Sequence, residues 1–154
     1  MKQNTAKEQS LNPQPSARST SAVAAADSFD ERVLEALHAA SEKKAIEPVV
    51  LDLRDIASFT DYFVIVSGAN ERQVQAISDE VYEQLKKSGH AAARVEGYKT
   101  AEWILLDYGD FVVHVFEQKA RKFYDLERLW RESKRLELPA EFSTDSASSL
   151  RRES

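Results

Sequence analysis

The chain has 154 residues, enough for one domain with a sizeable core, and no apolar run reaches the roughly 20 residues that a membrane-spanning helix needs. Apolar residues make up 42% and charged residues 31%, with only four glycines and four prolines, which excludes collagen-like and wholly disordered chains. The formal charge of -5 argues against a protein that wraps nucleic acid or binds an acidic membrane, and the absence of cysteine excludes disulfides, thiolate nucleophiles and cysteine-bound metals.

Both ends of the chain have the composition of segments that do not fold. Residues 1–27 are rich in Ser, Thr, Ala and Gln and contain almost no large apolar side chains, so we expect a disordered N-terminal extension. Residues 139–154 are Ser-rich and begin with a proline, and we expect a disordered tail there. The extension is poor in arginine, which favours a cytoplasmic protein, with an organellar transit peptide as the alternative. The folded domain is predicted to span residues 28–138.

Helical and extended patterns alternate along this domain. Ser28 and Glu31 have the capping-box spacing that begins a helix, and Asn70 and Gly89 delimit a second helix with apolar residues at helical spacing. Apolar runs predict strands near residues 49–53, 62–67, 91–96, 102–108 and 111–117, followed by a helix over residues 119–136. We therefore expect an α/β fold: a single domain with a mixed β-sheet of about five strands flanked by helices.

The last predicted helix combines an apolar stripe with positive charge. Residues 119–135 contain seven basic and three acidic residues, a net charge of +4, whereas residues 45–118 carry a net charge of -7. The stripe has helical spacing and is assigned to the core: Phe123, Leu126, Leu129 and Trp130. An ordinary solvated helix explains the charge, and contact with phosphate is the alternative. The candidates for that contact are Arg121, Lys122, Arg128 and Arg131.

Gly109 and Asp110 predict a two-residue turn between the last two strands. The resulting register places a wholly apolar set on the core side: Ile104, Leu106, Val113 and Val115. The opposite side is mixed and carries Trp103, Leu105 and Asp107 beside Val112, His114 and Phe116. Large apolar side chains rimmed by Asp and His are typical of a docking surface, and a covering element would produce the same pattern, so both interpretations stay open.

Motifs for catalysis are weak. The three histidines lie in separate elements without metal-ligand spacing, so neither a metal nor a cofactor is predicted. Ser67 and Gly68 form a strand-to-helix turn like that of nucleotidyltransferases, but the acids that follow, Asp79 and Glu80, are adjacent in a helix and point apart. One acid–base candidate lacks a pocket motif: Asp107, Asp110 and His114. We predict a protein that is not an enzyme; the alternative is a degenerate nucleotidyltransferase or nucleotide-binding protein.

The sequence Trp-Ile-Leu-Leu-Asp-Tyr-Gly-Asp at residues 103–110, continued by Val-His-Val-Phe at 113–116, resembles the ribosomal silencing factor family, also called the Iojap family. Residues 61–65, the Ser67-Gly68 turn and residues 72–77 resemble an earlier strand and helix of the same family. The resemblance covers about residues 29–131. The sequence departs from the family pattern at Ala69 and Asn70 and in its long N-terminal extension.

This resemblance implies a nucleotidyltransferase-like fold without transferase activity. It also implies a translational repressor that binds the large ribosomal subunit through ribosomal protein uL-fourteen and blocks subunit association when nutrients are scarce. No small-molecule substrate and no membrane enter this mechanism, which is steric. Carried onto this chain, the partner-binding candidates are Trp103, Leu105, Asp107, His114 and Phe116, with Arg121, Lys122 and Arg128 as possible neighbours of ribosomal RNA.

Overall fold

The computed structural model describes residues 30–142, which form an α/β fold with one mixed sheet of six strands. The predicted class is confirmed, with one strand more than expected, while the nucleotidyltransferase-like part of the expectation stays a prediction. In chain order the elements are α1 (Glu31–Glu42), β1 (Ile46–Asp52), β2 (Tyr62–Gly68), α2 (Glu71–Lys87), β3 (Arg94–Glu96), β4 (Trp103–Asp107), β5 (Phe111–Glu117), α3 (Gln118–Tyr124), α4 (Leu126–Leu129), β6 (Lys134–Arg135) and a 3-10 turn (Ala140–Phe142).

The sheet has the strand order β3-β4-β5-β2-β1-β6. β2 and β5 are parallel neighbours at its centre, and the other neighbouring strands pair antiparallel. All seven residues of β2 are buried, as its uninterrupted apolar run predicts for a strand covered on both faces.

Helices α1 and α2 cover one face of the sheet. Asn70 caps α2, since its Oδ1 accepts a hydrogen bond of 2.8 Å from the Gln73 N–H, while Gln73 Oε1 accepts one of 2.7 Å from the Ala69 N–H. Gly89 follows the helix at a φ of +93°, the left-handed conformation that glycine adopts readily. The two predicted ends of this helix are confirmed. Its buried apolar residues are Val74, Ile77, Val81 and Leu85.

The β4–β5 hairpin has the predicted register. Gly109 and Asp110 form the turn, and the Tyr108 N–H donates to the Phe111 carbonyl oxygen over 2.9 Å. Leu106 faces Val113 across the strands. The side predicted to be core is buried against α2: Ile104, Leu106, Val113 and Val115.

A second apolar cluster lies on the other face, where Ala120 of α3 and Leu126 of α4 pack over the strands. Its buried members are Val49, Leu51, Leu53, Phe63, Ile65, Val112, Phe116, Ala120 and Leu126, and four half-buried residues pack against it: Ala57, Trp103, Leu105 and Trp130. The C-terminal helices therefore cover β1, β2 and β5 on this face, whereas β4 beside them stays partly open.

The single helix predicted over residues 119–136 is wrong. The helix breaks at Asp125, whose φ of +49° is left-handed, and the chain then turns back to add β6 beside β1. Aspartate tolerates this conformation better than most residues because its short polar side chain can bond locally. The break also overturns half of the assigned core stripe, since Phe123 is 81% and Leu129 71% exposed.

The predicted extension, residues 1–27, lies outside the described residues, and so does Ser28 of the predicted capping box. Within the described residues the packed chain continues past the predicted boundary at residue 138. Phe142 is buried, and its ring meets the His38 ring edge-on with centroids 4.9 Å apart. None of the helices between residues 30 and 142 is long and apolar enough to cross a bilayer.

Candidate docking surface

Trp103 lies at the centre of the mixed face of the hairpin. Its indole Nε1–H donates a hydrogen bond of 3.0 Å to Nδ1 of His114. Its ring stacks on Phe116 at 4.9 Å between centroids and meets Tyr124 of α3 at the same separation. Three neighbours thus fix the orientation of a side chain that is itself only half-buried.

The structure separates the five predicted partner-binding residues into two groups. Trp103, Leu105 and Asp107 on β4 are partly exposed, but His114 is only 3% exposed and Phe116 is fully buried. The expectation that all five line the outer surface is therefore corrected for the last two. The reason is that Ala120 of α3 and Leu126 of α4 pack over β5 on this face of the sheet, whereas the neighbouring strand β4 is only partly covered.

His114 is a buried, neutral imidazole. Burial lowers its pKa to about 3, because the charged form would lose its hydration. Nδ1 accepts from Trp103, whereas Nε2 is buried and has no hydrogen-bond partner among the described residues. The ring of Phe63 meets the imidazole edge-on at 4.4 Å. The side chain therefore acts on its surroundings through Nδ1 and through ring packing, not through charge.

The rings on this face form a continuous series, which we call the aromatic row. Adjacent centroids lie 4.4 to 5.9 Å apart. In spatial order the row consists of Phe59, Trp130, Phe63, His114, Trp103, Tyr124 and Phe123. Its two ends are open to solvent, with Phe59 57% and Phe123 81% exposed. Helical spacing predicted Phe123 in the core, because it gives no sign of the break at Asp125, and it did not place Phe59 or Tyr124 on this face.

The acidic residues near this face have partners of their own. Asp107 accepts hydrogen bonds from Arg94 at 3.3 Å and from the Gly109 N–H at 2.9 Å, and Asp110 accepts one of 2.9 Å from Arg32. His114 bonds to Trp103 instead. The acid–base candidate of Asp107, Asp110 and His114 thus shares no hydrogen bond between its members.

Arg121 is not a free cation for RNA. Its side chain is buried, and its guanidinium donates to both carboxylate oxygens of Glu127 at 3.2 and 3.1 Å and to Ser67 Oγ at 2.8 Å. This expectation is corrected, because a residue predicted on a solvated helix instead ties α3 to the end of β2. The other three candidates are exposed: Lys122, Arg128 and Arg131.

A cavity of about 820 Å³ lies beside this Arg121 contact, at the carboxyl ends of the parallel strands β2 and β5. Ser67, Arg121 and Glu127 line it together with the C-terminal residues Leu138 and Phe142. Between residues 30 and 142 no group of three or more His, Asp or Glu side chains is placed to hold a metal ion. Asp79 and Glu80 lie in α2, where they bond to Tyr98 and Gln84 respectively.

Comparison with known proteins gives consistent matches. A family model described as "Ribosomal silencing factor during starvation" matches residues 26–154. The ribosomal silencing factor RsfS of Halalkalibacterium halodurans is 42% identical over 103 residues, covering 67% of this chain and 88% of the relative. A crystal structure of a Bacillus halodurans protein, 41% identical, superposes with a TM-score of 0.64 over 70% of this chain and 98% of that one.

A more distant relative is the mouse protein named "Mitochondrial assembly of ribosomal large subunit protein 1", which is 30% identical over 92 residues; the alignment covers 58% of this chain and 40% of the mouse protein. The family model spans most of the chain, and the halodurans relative is aligned over most of its own length. This chain belongs to the ribosomal silencing factor family.

Proposed function

We propose that this chain docks on the large ribosomal subunit against ribosomal protein uL-fourteen and blocks association of the two subunits. It thereby represses translation in the cytoplasm under nutrient limitation. The observation that carries this proposal is the aromatic row, which exposes large apolar rings around a preorganised Trp103. Exposed aromatic side chains of this kind are typical anchors of protein interfaces. The mechanism is steric exclusion, so the protein acts without catalysis.

Charge supports a basic protein as the partner. Residues 45–118, which form most of the sheet, carry a net charge of -7, and Asp107 lies next to the Trp103 face. A ribosomal protein that contacts RNA is basic, and opposite charges speed encounter and fix orientation. The exposed Lys122 and Arg128 on the neighbouring helices are placed to touch ribosomal RNA phosphates at the periphery. The mouse relative, whose name refers to assembly of the ribosomal large subunit, also supports the large subunit as the target.

Cosedimentation with separated ribosomal subunits tests the docking face. Trp103→Ala removes the central ring, and we expect it to weaken large-subunit binding at least tenfold, the effect of an interface hot spot. Tyr124→Ser changes a side chain that is 47% exposed and packs against Trp103 with tilted rings, and Tyr98→Ser is its matched control, 40% exposed and bonded to α2 instead.

We expect Tyr124→Ser to weaken binding and Tyr98→Ser to bind as wild type does. Circular dichroism and thermal unfolding establish that each variant is folded. Docking through this face would be contradicted if Trp103→Ala and Tyr124→Ser both bind large subunits as tightly as wild type does.

The cavity beside Arg121 favours one alternative, a nucleotide-binding protein. Carboxyl ends of parallel strands are where α/β sheets commonly bind ligands. The measurement is the melting temperature with ATP or CTP and magnesium, because a ligand of the native state stabilises it by mass action. Our proposal predicts no shift, and a saturable rise would favour the alternative.

A further inference from the structure

The histidine at position 114 lowers the stability of the native state. The Nδ1 atom accepts the Trp103 indole hydrogen, so the proton of the neutral imidazole is on Nε2. That Nε2–H is buried without an acceptor among residues 30–142, and an unsatisfied buried donor destabilises the native state. Phe63 and Phe116 already pack against this ring, so a phenyl ring would suit the surroundings without that cost. What a phenyl ring lacks is the acceptor for Trp103.

We infer that His114 is a positioning residue, which holds the Trp103 indole in one orientation for docking on the partner. The inference rests on the proposed function and adds a role for a residue that the partner cannot touch, since His114 is 97% covered by the fold. The hydrogen bond and the stack on Phe116 fix the indole from two directions. A half-buried ring on an open strand would otherwise turn about its side-chain bonds.

Fixing the indole before docking strengthens binding. Ordering a side chain on association weakens affinity, and a side chain that is already ordered avoids this loss. For one aromatic residue we expect the loss to be about three- to tenfold in the dissociation constant. Loss of Trp103 itself also removes the contact with the partner and therefore weakens binding more than loss of the hydrogen bond does. His114 thus acts through Trp103, and its effect should vanish when Trp103 is absent.

Two substitutions separate positioning from packing. His114→Phe keeps a buried aromatic ring, removes the unsatisfied Nε2–H and deletes the acceptor. His114→Asn returns an oxygen acceptor on the same branch as Nδ1 but loses ring packing. A purely structural role predicts that binding follows stability. A positioning role predicts that His114→Phe is at least as stable as wild type yet binds more weakly, whereas His114→Asn is less stable yet recovers binding.

NMR of the protein labelled with ¹⁵N-tryptophan tests the hydrogen bond of the Trp103 indole without ribosomes. Its sequence contains two tryptophans, so Trp130→Phe assigns the Trp103 indole signal. In wild type we expect an indole N–H that exchanges slowly with solvent. In His114→Phe the signal should shift and exchange faster, and in His114→Asn the slow exchange should return. A Trp103 signal unaffected by His114→Phe would overturn the inference.

Cosedimentation with large subunits completes the test. We expect three- to tenfold weaker binding for His114→Phe, recovery to within about twofold for His114→Asn, and no added effect of His114→Phe in the Trp103→Ala background. If the hydrogen bond between Trp103 and His114 is lost and the affinity for large subunits is unchanged, the positioning role is overturned and the docking proposal stands. If wild type itself fails to bind, the docking proposal falls, and the NMR signal still shows separately whether His114 holds Trp103.

Discussion

The guanidinium of Arg121 donates a hydrogen bond of 2.8 Å to the hydroxyl of Ser67, joining the helix after β5 to the end of β2. Both side chains are buried. Glu127 neutralises the guanidinium from α4 and also accepts a hydrogen bond of 3.0 Å from Arg135 on β6. This arrangement holds the broken C-terminal helices against the sheet and so supports the surface that carries Tyr124.

Arg121→Ala should therefore be destabilising. It leaves Glu127 half-buried with Arg135 as its remaining ion-pair partner and removes a buried hydrogen bond from Ser67. Because Glu127 keeps one partner, we expect the free energy of unfolding to fall by about 1–3 kcal/mol, the effect of leaving a buried polar group without its hydrogen bond. Urea unfolding followed by circular dichroism measures the change. The control is the neighbouring Lys122→Ala, whose exposed side chain should alter stability by no more than about 0.5 kcal/mol. Equal free energies of unfolding for wild type and Arg121→Ala would contradict this role of Arg121.

Phe123 provides a test of the helix break. Because its side chain is 81% exposed, Phe123→Ser should change the free energy of unfolding by less than about 0.5 kcal/mol. Leu126, three residues later, is buried, and Leu126→Ala should cost about 2–5 kcal/mol. Thermal and urea unfolding of the two variants compare them directly. A continuous helix with both residues in the core would make Phe123→Ser as damaging as Leu126→Ala.

Stability should depend on pH through His114. Its pKa is near 6.5 in the unfolded chain and about 3 in the folded protein, so between these values the unfolded state binds the extra proton. This proton uptake destabilises the native state progressively as pH falls from 6.5 toward 3, by up to roughly 1.4 kcal/mol per pH unit, and has no effect above pH 6.5. His114→Phe removes this contribution. The difference between wild type and variant, measured by urea unfolding from pH 4 to 8, should therefore change with pH; a constant difference would contradict a buried neutral imidazole.

Lys122 and Arg128 should contribute mainly electrostatics. If they touch ribosomal RNA phosphates, each alanine substitution weakens large-subunit binding and lowers its dependence on salt by about one released counterion. Cosedimentation at several salt concentrations measures both effects. Lys99→Ala, which removes an exposed charge from the loop between β3 and β4, serves as the control. A salt dependence identical to wild type in both variants would exclude this contact.

The hairpin and α2 were predictable because local rules determine them. The turn at Gly109 and Asp110 sets the strand register, and Asn70 and Gly89 satisfy the ends of one amphipathic helix. The C-terminal segment was not predictable in this way. The spacing of Phe123, Leu126 and Leu129 fits one helix, whereas the chain breaks at Asp125 and Glu127 then bonds to Arg121 and Arg135, contacts that helical spacing does not show.

The sequence likewise predicted only part of the candidate site. Strand alternation correctly placed Trp103 and His114 on one face of the hairpin, 3.0 Å apart through their nitrogens. Alternation does not show which strand a helix covers, so it left open whether this face is free or covered, and it could not show that His114 and Phe116 are buried. The exposed ends of the aromatic row, Phe59 and Phe123, come from a loop and from a broken helix, where periodicity carries no information about exposure.

A subunit-association assay tests the central claim most directly. Purified large and small subunits are mixed with and without this protein, and the formation of whole ribosomes is followed by light scattering and by sedimentation. We predict that the protein binds large subunits selectively and prevents association, and that Trp103→Ala binds poorly and permits it. Binding to large subunits without any block of association would contradict the steric mechanism, and absence of binding would contradict the proposed function as a whole.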